Sequence, residues 1–384
     1  MKIVLAPDSF KGNLTSLQVA TAMEKGIKRV LPKAKCIKVP MADGGEGTVQ
    51  SLVDATGGKF IYKKVKGPTG KPTRARYGLL ADKVTAVIEM AEASGLPLVK
   101  GASRNPLTTT TFGTGELIVD AMKKGASKII IGIGGSATTD GGAGMAQALG
   151  VKFLDKNGRV MTKLLAGGML DRIQDIDVSS VHPNIRNTKI IIASDVDNPL
   201  YGKNGAAYVF GPQKGATPQA VKTLDANLRH FGNLIKRKLK KDVRFLKGAG
   251  AAGGLGAGLV AFANARLKSG VDIVVQATHL EKHFKKADLV ITGEGRVDYQ
   301  TAFGKTPAGV AKAAKKHKVP VIAIGGGLAD DAKGVFKFGI DGLESSIARD
   351  MSVEEAMAHA KDYIANAAER AMRMVLIGKK IAKK

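Results

Sequence analysis

Residues 129–150 read IIIGIGGSATTDGGAGMAQALG. A run of β-branched residues enters six glycines mixed with Ser136, Thr138, Thr139 and Asp140, and helix-forming residues follow. This order predicts a buried strand, a loop of exposed backbone amides and the N-terminus of a helix. Each glycine inside a regular element costs roughly 1 kcal/mol relative to alanine. So many glycines together therefore indicate that the backbone approaches a ligand, and an anion suits such a loop.

A strand–loop–helix rhythm occupies both ends of the chain. Residues 2–6 and 36–40 predict short strands, and each is followed by a polar loop containing glycine and acids and then by a helix. Thr15 and Gln18 offer a capping box for the first helix. Residues 288–292 and 319–324 predict two more strands that run into glycine-rich loops. This alternation is typical of a doubly wound α/β domain.

The rhythm changes in the middle of the chain. Three predicted strands follow one another there without a helix between them, at residues 59–65, 74–80 and 85–90. We therefore predict two α/β domains. A discontinuous, doubly wound domain is formed by residues 1–60 and 285–384, and a second mixed α/β domain, residues 61–284, is inserted and carries the GGSATTDGGAG loop.

The chain is strongly basic. Sixty Lys and Arg residues against 33 Asp and Glu residues give a net charge of +27, which favours anionic partners. Aromatic residues make up only 5% and there is no Trp, so stacking platforms for nucleic acid are scarce and we expect no specific nucleic-acid partner. Cys36 is the only cysteine and no apolar run approaches the length of a membrane span. A cytoplasmic protein with no membrane partner is the expectation.

Two glycine-rich patterns suggest other nucleotide sites. Residues 248–253 match the dinucleotide fingerprint GxGxxG after a possible strand at residues 243–246, although the many small residues suit close helix packing equally well. Lys305 and Thr306 end like a P-loop, but Tyr299 stands where its first glycine belongs. We expect Thr306 to cap the following helix and Lys305 to contact a phosphate. A nicotinamide oxidoreductase and a basic nucleic-acid-binding protein stay open as alternatives.

Acids recur where predicted strands end. The set comprises Asp8, Asp43, Glu46, Asp140, Asp195, Asp197, Glu294 and Asp298. Turns favour Asp for local reasons, but these acids lie in glycine loops close to Lys11, Lys203, Arg296 and Lys305. Phosphoryl transfer needs this combination, because Mg²⁺ takes oxygen ligands, phosphates need amides and cations, and the accepting hydroxyl needs a base. The pattern therefore indicates a kinase.

The same motifs resemble those of the bacterial type I glycerate kinase family, and the resemblance runs nearly end to end. It rests on APDSFKG at residues 6–12, MADGGEGT at 41–48, GGSATTDGGAGMAQALG at 134–150, SDVDNPL at 194–200, FGPQKGA at 210–216, GAGAAGGLGAGL at 248–259 and TGEGRVDYQTAFGKTPAGVA at 292–311. Thr139 stands where we expect asparagine, and Ser194 stands where cysteine is common. The resemblance implies ATP-dependent phosphorylation of D-glycerate, usually to 2-phosphoglycerate, with Mg²⁺. It also implies a flavodoxin-like domain interrupted by a second α/β domain, and it leaves a homodimer open.

Site roles follow as hypotheses from the resemblance and the residue chemistry. Asp195 is the candidate base for the glycerate hydroxyl, with Asp43 as second candidate and Lys11 as a catalytic cation. Glu294 and Asp298 are candidate Mg²⁺ ligands. The candidate ATP-binding residues are Gly134, Gly135, Ser136, Gly141, Gly142 and Lys305. The candidate glycerate-binding residues are Asp8, Ser9, Glu46, Asp197, Asn198 and Arg296.

Overall fold

The structure is a computed structural model that describes residues 1–302 and 305–382. Gly304, the glycine of the P-loop-like pattern, lies outside them. In the described residues the strands are β1 (Lys2–Leu5), β2 (Lys35–Lys38), β3 (Lys59–Lys66), β4 (Pro72–Leu79), β5 (Thr85–Glu89), β6 (Lys128–Gly132), β7 (Lys152–Leu154), β8 (Asp175–Asp177), β9 (Lys189–Ala193), β10 (Arg266–Lys268), β11 (Leu289–Val297), β12 (Val321–Leu328) and β13 (Gly342–Ser345).

The α-helices are interspersed among these strands. They are α1 (Ser16–Val30), α2 (Thr48–Thr56), α3 (Ala91–Ser94), α4 (Phe112–Lys123), α5 (Ala143–Ala148), α6 (Ala206–Phe210), α7 (Pro218–Leu239), α8 (Ala251–Ala263), α9 (Gly270–Ala277), α10 (Leu280–Phe284), α11 (Thr306–Lys315), α12 (Val353–Ala358) and α13 (Ala360–Ile381). None of the described helices is both long and apolar enough to cross a membrane.

Residue contacts divide the chain into two compact units. Unit 1 comprises Met1–Asp43, Gln50–Gly57 and Gly270–Lys384. Unit 2 comprises Gly44–Val49 and Gly58–Ser269. Both units are mixed helix and sheet structures, which confirms the predicted α/β class.

Unit 1 is a doubly wound domain. Its five strands are all parallel and lie in the order β2-β1-β11-β12-β13. Counted along the unit this is 2-1-3-4-5, the flavodoxin-like order. The capping box at the start of α1 is confirmed, because the Thr15 hydroxyl accepts from the Gln18 amide and the Gln18 side chain accepts from the Thr15 amide. Helices α1 and α13 pack together, and their apolar faces bury Ile3, Met23 and Ile364 completely.

Unit 2 has a six-stranded mixed sheet in the order β10-β9-β6-β5-β4-β3. Strands β10, β9, β6 and β5 are parallel, whereas β4 pairs antiparallel with both β5 and β3. The three consecutive strands predicted between residues 59 and 90 are therefore confirmed. The isoleucine-rich strands β6 and β9 are almost fully buried, as expected for central parallel strands.

Three local predictions are wrong. Residues 243–246 form an irregular segment with a bend rather than a strand. Strand β11 does not end before its glycines but continues through Glu294 to Val297, because these residues pair with β12. Thr306 is not the N-cap of α11, since Lys305 occupies that position and Thr306 is the first helical residue. In the last two cases long-range hydrogen bonds override local preferences of the sequence: glycines that favour a turn lie in a paired strand, and the Thr306 hydroxyl bonds to Asp8 instead of capping its helix.

Candidate functional site

Carboxylates and cations gather in unit 1 where β1 and β11 lie side by side. We call Asp8, Asp43, Glu294 and Asp298 the acid cluster. Asp8 follows β1, and its amide donates to the Gly293 carbonyl of β11 at 2.8 Å. The chain leaves β1 towards β2 on one side, and β11 leads to β12 on the other. This is the topological switch point, where doubly wound sheets bind ligands beyond the carboxyl ends of their strands.

Asp8 and Glu294 are the buried members of the acid cluster, with 3% and 9% of their surfaces exposed. Burial, followed by the neighbouring Asp43 charge, raises the pKa of Asp8 to about 6. Burial raises the pKa of Glu294 to about 7, and the charge of Asp8 adds to this effect. Both carboxylates therefore gain from a nearby cation, because each is costly to ionise in this environment.

Two threonines hold these buried carboxylates in place. The Thr306 hydroxyl donates to Asp8 Oδ2 at 2.5 Å, and the Thr301 hydroxyl donates to Glu294 Oε1 at 2.5 Å. Both threonines are fully buried. The amide of Ser9 also donates to Asp8 Oδ1 at 2.6 Å. The carboxylates are thus fixed in orientation before any ligand binds.

Two lysines balance the acid cluster. Lys11 Nζ lies 3.0 Å from Asp43 Oδ2. Burial lowers the pKa of Lys11, but Asp43 outweighs that effect and raises it overall. Lys305 Nζ lies 3.2 Å from Asp298 Oδ1 and 3.8 Å from Glu294 Oε2. Partial burial raises the pKa of Asp298, but its hydrogen bond with Lys305 lowers it overall.

A pocket of about 670 Å³ adjoins the acid cluster. Its polar part is lined by Asp8, Lys11, Glu294, Arg296 and Lys305. Ser9 also lines it, and its hydroxyl donates to Asp8 at 3.3 Å. The structure therefore brings most of the unit 1 candidates from the sequence to one pocket with both signs of charge.

The acid cluster also suits a magnesium ion. Within residues 1–302 and 305–382, no three His, Cys, Asp or Glu side chains converge as a metal-binding group. Mg²⁺ does not need such a group, because it commonly uses one or two carboxylates together with water and substrate phosphates. Glu294 and Asp298 both approach one cationic atom, Lys305 Nζ, so their oxygens are placed to share a positive charge. These two carboxylates fit the ion that the sequence predicts.

The glycine loop, residues 134–142, belongs to unit 2. At its centre the Asp140 carboxylate is fully buried and accepts from the amides of Thr111, Gly142 and Gly144 and from the Thr111 hydroxyl. Burial raises the pKa of Asp140. Because all of these donors lie within the protein, Asp140 holds the loop rather than facing a ligand.

The candidate amides of the glycine loop differ in their surroundings. Gly134 and Gly135 are exposed. The Gly141 amide donates to the Gly253 carbonyl at 3.0 Å, and the Gly142 amide donates to Asp140. In this conformation a phosphate therefore has access to Gly134 and Gly135, whereas the other two amides already have partners. Their predicted contacts with ATP stay predictions.

A buried lysine braces the glycine loop. Lys214 Nζ donates to Ser136 Oγ at 2.7 Å and to the Thr138 carbonyl at 2.6 Å. Only 2% of Lys214 is exposed, and this burial lowers its pKa to about 7. The predicted ATP contact Ser136 is itself 5% exposed and bonded to this lysine.

The loop after β9 carries three more candidates. Asp195 and Asp197 are exposed, and Asp197 forms a surface ion pair of 3.4 Å with Lys247. The Asn198 amide donates to the Asn204 carbonyl at 2.8 Å. Glu46, in the segment of unit 2 before α2, is exposed as well. These residues lie on loops of unit 2, and their predicted roles stay predictions.

The glycines of the dinucleotide fingerprint have a packing role. A Cβ on Gly250 would collide with the Pro199 carbonyl, and a Cβ on Gly253 would collide with the Thr138 carbonyl. Gly253 also has a positive φ of 68°. With no strand before these glycines, close backbone packing explains them without a dinucleotide.

Sequence reasoning missed the structural roles of four polar residues. Thr301 and Thr306 orient the acid cluster, Lys214 braces the glycine loop, and Glu89 accepts from the Val49 amide at 2.8 Å. Burial raises the pKa of Glu89 to about 7. Glu89 is the last residue of the apolar strand β5, so a search for acids at strand ends, which identified the other carboxylates, also finds it. The threonines and Lys214 carry no such signal, because only long-range contacts reveal them.

Buried carboxylates, lysines and a large pocket at the switch point of a doubly wound sheet define an α/β enzyme of the phosphotransferase class. A sequence profile of the glycerate kinase family matches residues 3–376. The chain belongs to this family, whose members are kinases that act on an alcohol group.

Individual relatives match over nearly their whole lengths. The chain is 55% identical to a glycerate kinase of Halalkalibacterium halodurans, over 95% of this chain and 96% of that protein. It is 50% identical to glycerate 2-kinase of Escherichia coli, over 98% and 99% of the two chains. A crystal structure from Salmonella typhimurium LT2, assigned as glycerate kinase 2, matches with a TM-score of 0.91 and 47% identity, and the match covers 99% of each chain.

Proposed function

We propose that the protein transfers the γ-phosphoryl group of ATP to a hydroxyl of D-glycerate and forms 2-phosphoglycerate and ADP. The observation that carries this proposal is the acid cluster, with Lys11 and Lys305, beside the pocket at the switch point of unit 1. Family membership supports the choice of glycerate and ATP. The cytoplasmic location and the oligomeric state stay predictions.

In the reaction, a hydroxyl oxygen of glycerate forms a bond to the γ-phosphorus while the bond from that phosphorus to its bridging oxygen breaks. ADP leaves, and the hydroxyl proton passes to a carboxylate. Asp195 remains our candidate base, because it is an exposed carboxylate at the end of a parallel strand. Asp43 is the second candidate, and Lys11 orients its carboxylate.

The other candidate residues would bind the substrates. Lys11, Arg296 and Lys305 would neutralise phosphate or the glycerate carboxylate. Gly134, Gly135 and Ser136 would donate to phosphate, with Gly141 and Gly142 only after their internal bonds open. Asp8, Ser9, Glu46, Asp197 and Asn198 stay candidates for contacts to the glycerate hydroxyls.

Glu294 and Asp298 would hold Mg²⁺, since both approach one cationic position. When bound, the ion neutralises the charge of the phosphates. A useful check that does not depend on turnover is the pKa of Glu294. Bound Mg²⁺ should lower this pKa below its metal-free value of about 7 because the cation favours the ionised carboxyl.

The experiment is a turnover assay on the purified full chain with ATP, Mg²⁺ and D-glycerate, with ADP measured by a coupled reaction. Phosphorus NMR of the product distinguishes 2-phosphoglycerate from 3-phosphoglycerate. Asp195→Asn should lower kcat at least a hundredfold, whereas Asp171→Asn, at another exposed aspartate of unit 2, should leave it unchanged. Failure of the unaltered protein to form ADP would refute the proposed function, and normal kcat in Asp195→Asn would remove that residue as the base.

A further inference from the structure

The unit 1 pocket has an apolar part that glycerate does not explain. Beyond the charged residues it is lined by Leu328, Ile347, Met351, Val353 and Met357. Glycerate is a small, fully polar acid with no ring or hydrocarbon face. Its carboxylate and hydroxyls need only the polar part of the pocket, so the apolar part lacks an occupant.

Several of these apolar side chains are unusually exposed. Val353 is 70% exposed, Met357 41%, Leu328 40% and Ile347 37%. Single exposed apolar residues are common on protein surfaces, but several that line one pocket mark a binding site for apolar surface. Met351 and Met357 add flexible thioethers, which make favourable contacts with aromatic rings.

The polar and apolar parts are continuous. Asn13, in the loop that follows β1, donates its side-chain amide to the Met357 carbonyl of α12 at 2.9 Å. The loop after β1, which also carries Asp8, is therefore joined by a hydrogen bond to the helix that carries part of the apolar wall. One ligand with a charged end and a flat apolar end would fill both parts, and a volume of about 670 Å³ lies in the range of small-molecule sites.

We infer that the apolar part of this pocket holds the adenine base and ribose of ATP, with the phosphates directed towards Lys11, Arg296 and Lys305. This inference rests on the proposed use of ATP. Lys11, Arg296 and Lys305 line the pocket and supply hydrogen-bond donors for phosphate oxygens, and the exposed side chains of Val353 and Met357 match the face of a purine. The base and ribose of the nucleotide then lie on unit 1.

The test uses neutral substitutions that make the apolar part polar. Val353→Asn and Met357→Gln should each weaken ADP binding, measured by calorimetry on the full chain, at least fivefold. Binding of inorganic tripolyphosphate and of D-glycerate should stay within twofold, because neither contains the base. Met374→Gln is the matched control, since Met374 is 69% exposed on α13 and does not line the pocket.

Each result decides the inference. Unchanged ADP affinity in both variants, with normal turnover by the unaltered protein, overturns the adenosine site and leaves the proposed function standing. Loss of D-glycerate binding instead would make the pocket the acceptor site. An equal loss of tripolyphosphate binding would show that phosphates, not the base, lie against these side chains. Absence of turnover and of ADP binding in the unaltered protein would refute the proposed function itself.

Discussion

Glu294→Gln is expected to stabilise unit 1 at alkaline pH while it lowers turnover at least tenfold. The Glu294 carboxyl is 9% exposed, and burial raises its pKa from 4.5 to about 7. A glutamine keeps a side-chain oxygen that can accept the hydrogen bond from Thr301, which is 2.5 Å in the native protein. The substitution therefore removes the titratable charge with little change in shape.

The magnitude follows from the raised pKa. A carboxyl whose pKa is higher in the folded protein contributes stability that is fully present below pH 4.5 and is lost as the pH rises through about 7. At 1.36 kcal/mol per pKa unit, this loss amounts to about 3 kcal/mol by pH 8. Glutamine does not titrate. The stability advantage of the variant over the native protein should thus be about 3 kcal/mol larger at pH 8 than at pH 4.5.

The assay is thermal unfolding of both proteins at the two pH values, supported by denaturant unfolding for the free energies. A difference of this size corresponds to roughly 6–12 °C in melting temperature for a unit of this size. Glu281→Gln is the control, because Lys316 lowers the pKa of this partly exposed carboxylate and the opposite trend is expected. A stability difference between Glu294→Gln and the native protein that does not grow with pH would refute the reasoning.

Three further predictions concern unit 2. Burial lowers the pKa of Lys214 to about 7, so the free energy of unfolding of the native protein should rise by about 1.4 kcal/mol per pH unit between pH 7 and 10. In Lys214→Met, urea unfolding should show no such rise with pH. Gly253→Ala should lower the free energy of unfolding by more than about 2 kcal/mol, measured by thermal unfolding. Gly125→Ala is the control, because Gly125 also has a positive φ but has open space around it, and it should lower the free energy of unfolding by only about 1 kcal/mol. Equal losses in the two variants would contradict the predicted collision. Tyr77→Phe removes a 2.9 Å hydrogen bond to buried Asp120 and should lower the free energy of unfolding by about 1–2 kcal/mol. An unchanged melting temperature would show that this hydrogen bond does not stabilise the protein.

Local signals predicted much of the fold. The first strand was expected at residues 2–6, and β1 spans Lys2–Leu5. The Thr15 capping box starts α1 as predicted. Such features depend on residues close in the chain, because capping, β-branching and periodicity act over a few positions.

Glycines misled the sequence reasoning where strands pair over a long range. Gly293 and Gly295 suggested that the strand had ended, yet β11 runs on to Val297 because Glu294 pairs with Gly325 and Arg296 with Gly327. Thr306 was expected to cap its own helix, but its hydroxyl donates to Asp8 instead. A partner almost three hundred residues away is invisible to local patterns.

The sequence by itself determined the kind of chemistry, since acids, lysines and glycines at strand ends already indicated phosphoryl transfer. It also determined the α/β class and the order of motifs that identifies the family. Only the tertiary structure decided which acids are buried. Pairing of β1 with β11 places Asp8 near Glu294, and desolvation then raises the pKa of each. Burial depends on what packs around a residue in three dimensions, and so does its ability to hold a proton or a cation.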